Sequence, residues 1–179
     1  MSKPTLLKMV QDILNDTDSD EVNSIDDTVE ASQVAQIIES CYMGMMANRN
    51  WPHQRKLVQL EGLGDLTKPN YLKLPERLKE LTCVKYDCQK LTDDKIVFKD
   101  LTYKQPDEFL YYVSKRDSSL ATVTTVQDFQ GSNLLIYNDV APTFYTSFDD
   151  VHLVADAYDN AIDDTLQGSK TQCLAYLIP

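Results

Sequence analysis

The sequence predicts an α+β fold: an N-terminal helical bundle part, then an antiparallel β part with one further helix. Three observations carry this. Apolar residues recur at three- and four-residue spacing through the first fifty positions. From residue 56 the period shortens to two and turn chemistry punctuates the chain. Near residue 106 a helix start interrupts the strands. The 179 residues are enough for one domain with a real core. Within it we expect a helical part at 1–52, a mixed β part at 53–160 containing a helix near 106–116, and a C-terminal arm at 161–179.

The first helix is expected to start at Ser2 and Pro4, with Leu6, Leu7, Val10, Ile13 and Leu14 as one apolar stripe. The polar, acidic stretch Asn15 to Ser24 breaks the pattern. Asp27-Thr28-Val29-Glu30 has the form of a capping box, with Asp27 as the oxygen acceptor. The second helix then follows, with Val34, Ile37, Ile38, Cys41, Tyr42, Met45 and Met46 on one face. It is expected to end near Asn48 to Asn50, because Pro52 disfavours helix at Trp51.

Strands are predicted at Lys56–Leu60, Tyr71–Leu74, Leu81–Tyr86 and Ile96–Lys99. Gln105-Pro106-Asp107-Glu108 opens the third helix, its carboxylates facing the positive helix end. Beyond it come Thr122–Phe129, Leu134–Tyr137, Phe144–Thr146 and Val151–Ala155, with Gly131-Ser132-Asn133 as a hairpin turn. Thr165–Lys170 reads as a helical turn and Cys173–Ile178 as an extended arm.

Acids outnumber bases 28 to 17, for a net charge of −11. A chain of that sign does not hold nucleic acid by neutralising phosphates. No apolar run reaches membrane-spanning length. The segment Met1–Pro4 has no apolar h-region, so the expectation is an unexported chain with Cys41, Cys83, Cys88 and Cys173 reduced.

Chemistry-bearing patterns are sparse. Asp16, Asp18 and Asp20 alternate between two helices, with Asp27 in the twelfth position, which resembles a calcium loop. Glu21 stands where that loop needs Gly, and Asp27 where it needs a bidentate Glu. A solvated acidic loop explains the pattern better than a metal site. Asp149-Asp150 and Asp163-Asp164 are read as turn and cap chemistry, because adjacent side chains diverge. The cysteines and the two histidines, His53 and His152, show no zinc spacing. Five glycines leave no phosphate-cradling loop, and no nucleophile elbow is present. We therefore expect no enzyme, no cofactor and no catalytic residue. The ten tyrosines point instead to assembly surfaces. Trp51, Tyr111, Tyr112, Tyr176, Leu177 and Ile178 are the interface candidates.

The order of these segments carries a resemblance. Two helices end in Asn48-Arg49-Asn50-Trp51-Pro52; Tyr71-Leu72-Lys73-Leu74-Pro75 follows; Thr146-Ser147-Phe148-Asp149-Asp150 and Thr165-Leu166-Gln167-Gly168-Ser169-Lys170 come near the end. The chain resembles the head-to-tail adaptor (connector) proteins of tailed bacteriophages, of the tail tubular protein A type found in short-tailed phages. The resemblance implies a virion structural protein in the neck, assembled in the host cytoplasm. It implies a ring, usually of twelve copies, joining the portal protein to the tail tube or nozzle protein. Double-stranded DNA would pass through the ring without specific binding, along a like-charged wall. It places Leu6–Leu14 and Val29–Ala47 in the ring bundle and assigns Cys173–Pro179 as an arm reaching toward the portal. Two other readings stand beside it: a tail terminator, head-completion or tube/nozzle component, and, from a different class, a calcium-stabilised binding module.

Overall fold

Helix α1 (Leu6–Asp16) begins where Thr5 can accept a hydrogen bond from the Lys8 amide, 3.2 Å away. Thr5 is therefore the cap, and Pro4 lies outside the helix. Ser2, expected at the start, lies outside the described residues. The computed structural model describes residues 4–17, 19, 21–92 and 94–178. Helix α2 (Val29–Asn48) is capped by Thr28, whose Oγ1 accepts from the Ala31 amide at 3.0 Å. Asp27 is not the cap. Its Oδ2 accepts from the Asn23 and Ser24 amides at 2.7 and 2.8 Å, which commits it to the preceding turn. Glu30 closes the same loop by accepting from Ser19 Oγ.

The chain divides into two units, 1–51 and 52–179. In the first, Val10, Leu14, Val22, Ala31 and Ala35 are buried together, with Leu6, Ile25, Val34 and Ile38 packed against them.

The second unit is built on a curled eight-stranded sheet. Its strands are β1 (Arg55–Val58), β2 (Glu61–Gly62), β3 (Tyr71–Lys73), β4 (Leu78–Asp87), β5 (Phe98–Tyr103), β8 (Phe144–Thr146), β9 (His152–Ala155) and β10 (Thr171–Leu177). The order is β1-β10-β4-β5-β8-β9-β3-β2. Every pairing is antiparallel except β5 with β8, whose crossover holds helix α3 (Pro106–Ser114) and the hairpin β6 (Val123–Gln127) with β7 (Asn133–Tyr137). The two outer strands, β1 and β2, are separated in the chain only by Gln59 and Leu60. The sheet must therefore curl until its edges meet at Leu60. Leu60 is buried there, and its amide donates to Thr171 Oγ1 at 2.8 Å. Gly168 sits against the same junction: a Cβ on it would lie 2.2 Å from the Leu60 carbonyl oxygen. Leu72, Val84, Leu101, Tyr145, Leu153 and Cys173 belong to one buried cluster of this unit.

The expected α+β class stands, but the expected arm does not hang free. Residues 171–177 form β10, paired with β1 on one side and β4 on the other. Alternation decides this: Thr171, Cys173 and Ala175 are fully buried, which gives the strand one face of the core to cover. Pro179 lies outside the described residues.

Candidate functional site

The second helix leaves part of its apolar face uncovered. One apolar stripe was expected. The stripe is there, with Met43 off it and Gln33, Gln36 and Ser40 on the opposite side, but α1, eleven residues against twenty, is long enough to cover only its first half. Val34 and Ile38 pack against the α1 cluster and Met46 is buried. Ile37, Tyr42, Met43 and Met45 remain 63%, 40%, 47% and 55% exposed, and Cys41 is exposed beside them. The only charge in positions 36–48 is Glu39. At its end, the Trp51 indole N–H donates to the Met45 carbonyl at 3.0 Å, and the Arg49 guanidinium lies 5.1 Å over the ring. Trp51 thus closes the helix terminus and is half-buried.

A second aromatic face belongs to α3. Phe109 is fully buried, edge-on to Phe144 and Phe148 at 5.5 and 5.9 Å. This sets the helix on the sheet and turns Leu110, Tyr111 and Tyr112 outward, 43%, 58% and 45% exposed. The two tyrosine rings meet edge to face at 5.8 Å. The Lys115 ammonium lies 3.7 Å from the Tyr111 ring and bonds its hydroxyl; the Lys104 ammonium lies 5.1 Å from the Tyr112 ring and pairs with Glu108 at 2.6 Å. Between α3 and the β6–β7 hairpin runs an open groove of about 640 Å³, lined by Leu110, Tyr111, Ser118, Thr125 and Leu135 among others. Tyr176, Leu177 and Ile178, the other interface candidates, are half-buried at the end of β10. The structure gathers Tyr111 and Tyr112 on one face; Tyr176 lies elsewhere, on β10.

Sequence reading missed a polar–aromatic cluster where the hairpin tip meets the sheet. Tyr71 donates its hydroxyl to Asp128 at 2.6 Å. The ring of Phe129 stacks on His152 at 4.6 Å and stands edge-on to Tyr71 at 5.6 Å. Lys68 donates to the Gln127 carbonyl and lies 4.7 Å over the Phe129 ring. His152 Nδ1 is 2.6 Å from Asp149 Oδ2, while Asp149 Oδ1 accepts from the Val151 and His152 amides. Burial pushes the Tyr71 phenol far up, reinforced by its bond to Asp128 and by the charges of Asp128 and Asp149. Partial burial raises Asp149, but the bonds from His152 and Val151 outweigh it and hold the carboxyl below its ordinary value. The cavity here is about 110 Å³, and its side chains include neither a serine nor a cysteine. A phenol held protonated, a bonded carboxylate and a stacked imidazole make a clasp. The sequence marked Asp149 as turn chemistry but did not pair it with His152.

The remaining candidates resolve individually. Asp16 ends α1, Asp18 and Asp20 lie outside the described residues, and Asp27 is held by its own loop. Among the described residues, no group of three His, Cys, Asp or Glu side chains is placed to hold a metal. Asp150 adopts a left-handed turn conformation with φ 57°, and Asp163 pairs with Lys170. Among the described residues no helix is long and apolar enough to cross a membrane. Comparison with protein-family models and with curated proteins returned no match.

Proposed function

We propose that this chain is a ring-forming head-to-tail adaptor that joins a portal to a phage tail and extends the DNA channel. The observation that carries the reading is the uncovered half of α2. Ile37, Tyr42 and Met45 form an apolar surface that a subunit working alone would gain nothing by exposing. The tyrosine face of α3 gives a second surface of the kind that assembly interfaces use. The net charge of −11 suits a wall along which phosphates slide. The partners under this reading are the portal protein, a tail tube or nozzle protein and further copies of the chain, in the neck of the virion.

The test mixes the full chain with a purified phage portal ring and images the product by negative stain. The wild-type chain adds a second closed ring to the portal. A chain carrying Ile37→Glu and Met45→Glu keeps its circular dichroism spectrum and melting temperature but adds none. A wild-type chain that leaves the portal unchanged, or a double variant that still adds the ring, contradicts the reading.

A further inference from the structure

The cavity of about 110 Å³ where the hairpin tip meets the sheet has the chemistry of a cation site. The rings of Tyr71, Phe129, Phe148 and His152 line it, together with the carboxylates of Asp128 and Asp149. Phe129 and Phe148 are 49% and 37% exposed, so solvent reaches its rim. Among the described residues no lysine or arginine lines it. The Lys68 ammonium, over the Phe129 ring, lies outside the lining and is bonded to the Gln127 carbonyl. Aromatic rings with carboxylates and no lining cation favour a positively charged guest. Size limits that guest. The cavity is far smaller than the roughly 300–1,000 Å³ of a site for a drug-sized ligand. At ~30 Å³ per liquid water it has the space of about four waters, enough for a short stem and a charged head.

The bonds already made decide which head fits. Asp149 accepts from the Val151 and His152 amides on Oδ1 and meets the His152 ring on Oδ2. Asp128 accepts from the Tyr71 hydroxyl on Oδ1 at 2.6 Å and from the Gln130 amide on Oδ2 at 3.2 Å. Neither carboxylate keeps the free pair of oxygens that a planar guanidinium fork takes. Both keep single lone pairs, which suit a compact ammonium drawing its bonds from separate groups. A further acceptor stands beside them. Val154, which lines the cavity, pairs with Tyr71 on one side and Thr146 on the other, so the three side chains share one face of the sheet. Thr146 is fully buried, and its Oγ1 has no hydrogen-bond partner in the chain. Such a hydroxyl costs free energy until a guest satisfies it. We propose that this cavity binds a primary alkylammonium ion, with Asp128 and Asp149 as counter-charge, the rings around its carbon stem and the Thr146 hydroxyl accepting one N–H. The end of a partner's lysine side chain and a free short amine carry the same head and stem. The site stands apart from the ring reading above.

The full chain is titrated with n-butylammonium chloride at an ionic strength held constant with sodium chloride, and the Val154 methyl and Phe129 ring signals are followed by NMR. We expect shifts that saturate, and none that saturate with n-butanol, which has the same stem and no charge. Asp128→Asn keeps an acceptor for Tyr71 and should weaken binding about tenfold or more. Thr146→Val should weaken binding while raising the melting temperature of the unliganded chain, a pair of signs that a packing role alone does not give. Asp150→Asn, outside the cavity lining, should leave binding unchanged. Titration with N-acetyl-lysine methylamide separates the sources. Saturation with it as well as with butylammonium supports a partner's lysine, and saturation with butylammonium alone supports a free amine. No saturation with butylammonium, equal saturation with n-butanol, or undiminished binding by the Asp128→Asn and Thr146→Val chains overturns the site.

Discussion

Arg116 and Asp156, forty residues apart, form an ion pair with both side chains at least 94% buried. Arg116 reaches Asp156 Oδ2 at 3.1 Å, donates to the carbonyls of Asp156 and Leu135, and lies 4.0 Å over the Tyr137 ring. Asp156 Oδ1 accepts from the Thr143 and Phe144 amides, and Oδ2 from Thr143 Oγ1. With these bonds the pair ties the end of α3 to β7, β8 and β9. Removing the cation leaves a carboxylate buried without its counter-charge. Arg116→Ala is expected to cost about 3–5 kcal/mol in urea unfolding. A loss under about 1 kcal/mol would show that the pair does not hold these elements together.

Two glycines should respond in opposite directions. Gly168→Ala drives a Cβ to 2.2 Å from the Leu60 carbonyl oxygen and 2.8 Å from the Gly62 amide nitrogen, both rigid backbone. It is expected to lower stability by at least about 2 kcal/mol, because the sheet edges meet at that point. Gly44 sits inside α2 with open space where a Cβ would go. Gly44→Ala is expected to raise stability by about 0.5–1 kcal/mol. Melting curves of the two variants check both signs.

The four cysteines should separate by access. Cys41 is exposed. Cys173 is fully buried, and burial pushes its thiol up to about 12. Burial also raises Cys83 and Cys88. At neutral pH a thiol reagent should titrate Cys41 first and Cys173 only on unfolding. Prompt labelling of Cys173 in the native chain would contradict its place on the inner face of β10.

Acid should destabilise the fold through turn carboxylates. Bonds from the Thr67 hydroxyl and amide hold Asp65 low, and bonds from the Ser119 hydroxyl and amide do the same for Asp117. Asp149 is low because its bonds from His152 and Val151 outweigh its partial burial. Each folded-state carboxyl titrates below the unfolded value of 3.8, so its stabilisation is complete above that value. It is lost as pH falls through the depressed value. The melting temperature should decline on acidification in that range, with a shallower slope for a chain carrying Asp65→Asn, Asp117→Asn and Asp149→Asn. An unchanged slope would remove these turns from the account.

Local chemistry made much of the fold legible. The third helix begins at Pro106 as its Pro-Asp-Glu start predicts, and β6, β7, β8 and β9 lie where alternation and turn residues place them. The misreadings have particular causes. Asp27 looks like a cap, but its carboxylate serves two amides upstream. Ile96 and Val97 look like strand, but both are exposed at the tip between β4 and β5, and the strand begins at Phe98. The arm at Cys173–Ile178 looks terminal in sequence but is an inner strand, because β1 lies more than a hundred positions upstream. Tyr71 with Asp128, and Arg116 with Asp156, depend on tertiary closure, which no local pattern encodes. The half-covered α2 could not be foreseen either: its residues show what is apolar, and only the length of α1 against it shows what stays open.

The most direct test of the central claim is the native mass measured after the chain is added to a phage portal ring. The adaptor account predicts a discrete increase equal to an integral ring of 20.4 kDa subunits, one closed layer and no further growth. A portal mass that never changes, or a continuous series of masses without a closed state, would contradict it.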